Sequence, residues 1–329
     1  MSPRRLLPLL SVLALLGAAC GSSGSTPGAP SASSKAAICA GAPDQASTPG
    51  WGPPKMAPVL IPVLVSNAIT CGKARILFLY LDSANKVASA PDRTATVAFY
   101  NLGRDPNKAV ATADAAFVWT IEGERGMYVV DVDLPEAGTW GAEFTTQAPG
   151  SDPEAESARM TFSVRDTTSA IGIGQKAPAS KTPTAADVGG DLTRISTDKT
   201  PDPAFYQTSV ADALTAHKPF MLIFATPKFC ASQQCGPTLD QFKPIAAAHP
   251  DVTFVNAEPY QLKVVDGSLQ PVLDAQNQLQ ATEITDQWGL LSEPWIFAVD
   301  RNGIVRGSYE VTITPAELDA ILPVITAGG

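Results

Sequence analysis

The chain has 329 residues, 45% of them hydrophobic, and carries 32 acidic against 23 basic side chains, a formal net charge of −9. That length accommodates two domains with separate cores, and that charge excludes a surface that attracts nucleic acid or anionic headgroups. Any membrane attachment must therefore come from something other than basic residues.

Arg4 and Arg5 precede an apolar stretch from Leu6 to Leu16, and Gly17-Ala18-Ala19 stand directly before Cys20. The stretch is short for a membrane span and ends in small residues, so residues 1–19 read as a cleaved export signal. Gly17-Ala18-Ala19-Cys20 resembles the lipobox of bacterial lipoproteins, although Gly17 stands where that signal usually has leucine. The resemblance implies that Cys20 is lipidated and anchors the chain on the extracytoplasmic face of the cell membrane. An ordinary secretory leader cut near Ala19 is the alternative. Residues 20–57 then hold the lipid-bearing cysteine and a tether, because Gly21 to Ala37 is almost wholly Gly, Ser, Pro and Ala and cannot offset its chain entropy by burial.

Residues 58–165 change to short β-type runs: Val59 to Ile61, Ile76 to Leu81, Ala95 to Tyr100, Phe117 to Ile121, Met127 to Val132, Trp140 to Phe144 and Thr161 to Val164. Tyr128, Val130, Val132 and Leu134 alternate with Val129, Asp131 and Asp133, the period of a strand with one wet face. Turn clusters such as Asp82-Ser83-Ala84-Asn85 separate the runs. About seven short strands in this length predict an all-β sandwich with Trp119 and Trp140 in its core. Gly126 to Trp140 resembles the late strands of immunoglobulin-like domains in exported bacterial proteins, which implies a spacer or partner-docking module.

Residues 166–203, centred on Lys176-Ala177-Pro178 and Lys181-Thr182-Pro183, have the composition of an extended interdomain linker. From residue 204 to 329 helical and strand patterns alternate. Helices are predicted over Ser209 to Ala216, Pro237 to His249 with a kink at Pro244, and a stretch ending near Gly289. Strands are predicted over Phe220 to Ala225, Val252 to Ala257, Trp295 to Val299 and Ile304 to Val311, with a loop from Tyr260 to about Gln276. Thr314-Pro315-Ala316-Glu317 carries a capping threonine, a proline at the first helical position and a glutamate three residues on, which marks the start of a last helix. Such a mixture predicts an α/β layer domain.

Five cysteines are present. With Cys20 at the lipidation position, the other four permit three pairings. Proximity selects Cys230 with Cys235 and, by elimination, Cys39 with Cys71, the latter a structural disulfide suited to an oxidising compartment. Pro237 belongs in the first turn of its helix, which puts Cys235 near the positive helix terminus and Cys230 on the preceding loop. On that argument Cys235 is the attacking sulfur; chain order alone gives the opposite assignment.

Phe220 to Ala225, the Cys230/Cys235 pair before a helix, Pro294, and the Asp300-Arg301-Asn302-Gly303 turn together resemble the thioredoxin-like superfamily over roughly Ala204 to Ala327. The resemblance implies disulfide exchange through Cys230 and Cys235, a cis-proline at Pro294, and Glu293 presenting backbone to a bound peptide. Cys235-Gly236-Pro237-Thr238 matches the family's redox motif with threonine in the resolving place. The sequence departs from the family in three ways: four residues separate the cysteines, the tryptophan before the first cysteine is absent, and Met221 to Phe224 supplies no buried acid. His217 and His249 are expected on the surface, and no metal or other cofactor is expected. The implied partners are thiols or disulfides of exported proteins, or a membrane redox partner. The alternative is a non-catalytic binding or assembly lipoprotein in which the Cys230–Cys235 disulfide is structural.

Overall fold

A computed structural model of the chain describes residues 37–44, 47–54, 56, 58–150 and 156–327. The leader, Cys20 and most of the tether lie outside the described residues. The first half holds eight strands: β1 (Ile61–Leu64), β2 (Gly72–Leu81), β3 (Thr94–Asn101), β4 (Ala111–Asp114), β5 (Ala116–Ile121), β6 (Arg125–Leu134), β7 (Gly138–Gln147) and β8 (Glu156–Val164). They form two antiparallel sheets, β1-β2-β6-β5 and β4-β3-β7-β8. Alternation drives the pairing: Phe78, Tyr128 and Val130 from the first sheet and Val97, Trp140 and Phe144 from the second share one core. Phe78 and Phe144 meet across it with ring centroids 4.8 Å apart. Cys39 and Cys71 form a disulfide with Cα atoms 6.4 Å apart, tying the N-terminal segment to this core. Its sequence separation of 32 makes the constraint on the unfolded chain worth on the order of 4 kcal/mol in the chain-entropy account.

The second half contains α1 (Val210–Thr215), β9 (Phe220–Phe224), α2 (Cys235–Ala248), β10 (Thr253–Ala257), β11 (Leu262–Val265), β12 (Ser268–Pro271), α3 (Glu283–Trp288), β13 (Trp295–Val299), β14 (Val305–Glu310) and α4 (Pro315–Thr326). Its main sheet runs β10-β9-β13-β14, with β10 and β9 parallel and the other pairs antiparallel. β9 is apolar along its whole length because both faces are covered. Met221 and Ile223 pack with Leu239 and Phe242 of α2 and Leu322 of α4, while Phe220, Leu222 and Phe224 pack with Val210 of α1 and Trp288 of α3. The Thr314–Glu317 capping box is formed, and Pro244 lies inside α2. No helix among the described residues is long and apolar enough to cross a membrane.

Five features differ from expectation. β4 is an additional edge strand, and the loop after Tyr260 contains the β11–β12 hairpin. Trp119 lies at the surface of the core, only partly buried, against Phe117. Residues 166–203 are packed rather than extended between domains. Ala177 donates to the Gly303 carbonyl at 2.8 Å, Ala211 donates to the Ser180 carbonyl at 2.9 Å, and buried Ser180 accepts from the Trp288 indole at 3.1 Å. Gly289 lets this strap pass: it closes α3 with φ +65°, and a Cβ there would lie 1.8 Å from the Ser169 carbonyl oxygen.

The fifth difference is that the expected wet face of β6 is partly dry. Val129, with Leu77, Val118 and Met127, packs against Val311 from beyond β14. The two sheet systems belong to one compact unit. Arg75 of β2 pairs with Glu317 at the start of α4, donates to the Thr312 carbonyl at 2.9 Å and lies over the Tyr309 ring, 5.5 Å from its centroid. Both charges are largely enclosed, with side chains 13% and 20% exposed. Arg75→Met leaves the Glu317 carboxylate without that partner, so its expected cost is about 2 kcal/mol, between values for exposed and fully buried pairs. A lowered urea midpoint with an unchanged slope would show it.

Candidate functional site

The site forms where β9 delivers the chain to the start of α2. Thr226 to Gln234 turns over this junction, with Gln233 in the left-handed region at φ +59°. Cys230 and Cys235 form a disulfide with Cα atoms 6.1 Å apart. The loop makes this possible, since two residues five apart on a regular helix would point well away from one another.

The hydrogen bonds at this disulfide converge on Cys230, not on Cys235. Cys235 is the first residue of α2, and its N–H donates to Cys230 Sγ at 3.3 Å. The Ser232 hydroxyl lies 3.2 Å from the same sulfur and donates to it while the disulfide is closed. The helix terminus thus directs its N–H at Cys230, whereas Cys235 is wholly buried at 0% exposure. Cys230 is 9% exposed. Both sulfurs are enclosed, and Cys230 is the less buried of the two. Two donors on Cys230 Sγ also favour negative charge there.

Glu293 and Pro294 stand beside this loop and are joined by a cis peptide bond. The Glu293 carboxylate accepts from the Ala231 N–H, the residue next to Cys230, and from the Tyr260 hydroxyl at 2.5 Å. Burial pushes this carboxyl above the ordinary range, and those two donors partly oppose the shift. Pro294 presents its carbonyl to the Val311 N–H at 2.8 Å, and the Val311 carbonyl accepts from Thr238 of α2 at 3.1 Å. Cys230, Cys235, Glu293 and Pro294 are therefore brought together. Cys39 and Cys71 lie in the sandwich core, away from them.

The sequence of β9 holds no buried acid, but the structure places one just past the end of neighbouring β10. Glu258 accepts from the Thr197 N–H at 2.6 Å and from Thr226, the second residue after β9. Its other carboxylate oxygen is buried without a partner. Burial raises this group to about 7, with the nearby Asp198 charge adding to the shift. Ser232 and Tyr260 also escaped sequence reasoning, because a lone serine or tyrosine in a loop has no periodicity to mark it. Gln234 carried no signal either: its amide donates to the Thr120 carbonyl of β5 at 2.7 Å, a contact made only through the tertiary fold.

Among the described residues no group of three or more His, Cys, Asp or Glu is arranged to hold a metal. A cleft of about 820 Å³ opens between the sandwich and the second half, lined by Arg75, Asp131, Tyr309 and Ile321; none of Cys230, Cys235, Glu293 and Pro294 borders it. The chemistry available at the junction is that of the disulfide itself. A scan against protein-family models matches none, and a search of curated proteins finds no match.

Proposed function

We propose that the second half of the chain is a thioredoxin-like domain that exchanges disulfides through Cys230 and Cys235. The chain is a lipoprotein held by Cys20 on the extracytoplasmic face of the membrane, with an immunoglobulin-like sandwich as its first domain. Its partners are thiols of exported proteins or a membrane redox protein. The observation that carries this reading is the disulfide at the start of α2, with Cys230 Sγ accepting from the helix's first N–H and from Ser232.

In the direction that oxidises the partner, a partner thiolate attacks Cys230 Sγ and the Cys230–Cys235 bond breaks. Its electron pair goes to Cys235, which takes a proton from water. A second partner thiolate then attacks the partner sulfur of the mixed disulfide, and Cys230 leaves and is protonated in turn. Two partner thiols become one disulfide while the chain's disulfide becomes two thiols, and the reverse sequence reduces the partner. Glu293, held one residue from Cys230, fixes the loop during the exchange.

The enclosure of both sulfurs favours a second reading, in which the disulfide only pins the loop of a binding or assembly protein. Equilibrating the full chain with defined thiol couples separates the two. A potential more positive than about −300 mV is expected for exchange, and a lower value assigns a structural bond.

A further inference from the structure

We infer that the β-sandwich is a built-in cover for the Cys230–Cys235 site, so that exchange with a protein-sized partner requires the β5–β6 hairpin to move aside. The inference rests on the exchange reading above and adds regulation to it.

Three contacts join the sandwich to the elements that make the site. The Thr120 carbonyl of β5 accepts from Gln234, the residue before Cys235, at 2.7 Å in a buried position. Arg125, at the start of β6, donates to the Ser232 carbonyl at 3.2 Å. Leu77, Val118, Met127 and Val129 enclose Val311, whose backbone bonds both Pro294 and Thr238. The hairpin therefore touches the loop between the cysteines, and the sheet behind it touches the residue that links the Pro294 loop to α2. A peptide approaching Cys230 along the Pro294 side meets the sandwich there.

The closed arrangement also carries a local penalty at one of these contacts. The Gln234 amide oxygen is buried and has no partner. Opening hydrates the Gln234 amide oxygen, so a cost confined to the cover contact is released. A contact built in this way is poised between closed and open populations that a partner can shift.

The test uses the full oxidised chain and two reductants, dithiothreitol and a reduced protein dithiol. Opening of the Cys230–Cys235 bond is followed by alkylation and peptide mass. Val118→Asp places a charge against Val311 and is expected to raise the rate with the protein dithiol by about tenfold, while dithiothreitol changes by about threefold or less, as a shifted closed population requires. Arg125→Ala removes an exposed contact and leaves the sandwich core untouched; about a threefold rise with the protein dithiol is expected, and it carries the test if circular dichroism shows Val118→Asp misfolded. Unchanged rates in the folded variants, or equal acceleration by both reductants, overturn the cover and leave disulfide exchange standing. A bond that neither reductant opens in any variant overturns both.

Discussion

Cys235→Ser is expected to accumulate covalent adducts at Cys230 with a partner that carries a disulfide, whereas Cys230→Ser accumulates none and loses exchange altogether. The asymmetry follows from the burial of the two sulfurs. Cys235 is at 0% exposure inside the first turn of α2, so an incoming sulfur cannot line up with it, while Cys230 lies on the loop. The Cys230 thiolate attacks the partner disulfide and expels one partner sulfur; without Cys235 this chain has no group to resolve the mixed disulfide, and without Cys230 it has no accessible thiolate to form one. Non-reducing electrophoresis and mass analysis of the adduct read the result directly. Adducts on Cys235 in the Cys230→Ser chain would reverse the two roles. Stability moves little by comparison: a loop this short contributes about 2 kcal/mol through chain entropy.

Stability is expected to fall as pH rises through neutrality, and Glu258→Gln is expected to flatten that fall. The folded protein holds the Glu258 carboxyl at about 7, above its ordinary value of 4.5, chiefly because the group is buried. A carboxyl raised on folding favours the native state while it is protonated in both states. Its contribution is complete below about 4.5, is lost progressively as pH rises to about 7, and changes no further once the group is ionised in both states. The displacement corresponds to something on the order of 3 kcal/mol between acid and mildly alkaline solution. Glu293 and Asp131 are raised by burial as well and act in the same direction. Thermal melts of wild type and Glu258→Gln at pH 5 and pH 8 measure it: the wild type should lose several degrees, and the variant clearly less. Equal losses in both chains would place the titration elsewhere.

Much of the second half was legible because its strands are apolar along their whole length. Phe220 to Phe224 and Trp295 to Val299 have no polar position to mislead a reader, and both are buried on two faces. The Thr314 capping box was equally plain, since its partners are three residues apart. Ala111–Asp114 escaped because an edge strand of small and polar residues has no hydrophobic alternation. Residues 262–271 escaped because that hairpin pairs only with itself and is largely exposed. Segment 166–203 reads as a linker by composition, yet its backbone groups are satisfied by Gly303, Trp288 and α1, partners more than a hundred residues away or hidden in the next element.

The site divides in the same way. Local order along the chain determined that Cys230 pairs with Cys235 and that the pair sits at a strand-to-helix junction. Those features depend on neighbours within a few positions, so they are written in the string of residues. Which sulfur faces outward, where the buried carboxyl comes from, and what lies over the loop depend on Thr120, Arg125, Glu258 and Val311, each brought there by a different element. Burial and hydrogen bonding between distant segments are properties of packing. Only the folded arrangement of sandwich and α/β sheet decided them, because no spacing along the chain encodes which surfaces exclude water together.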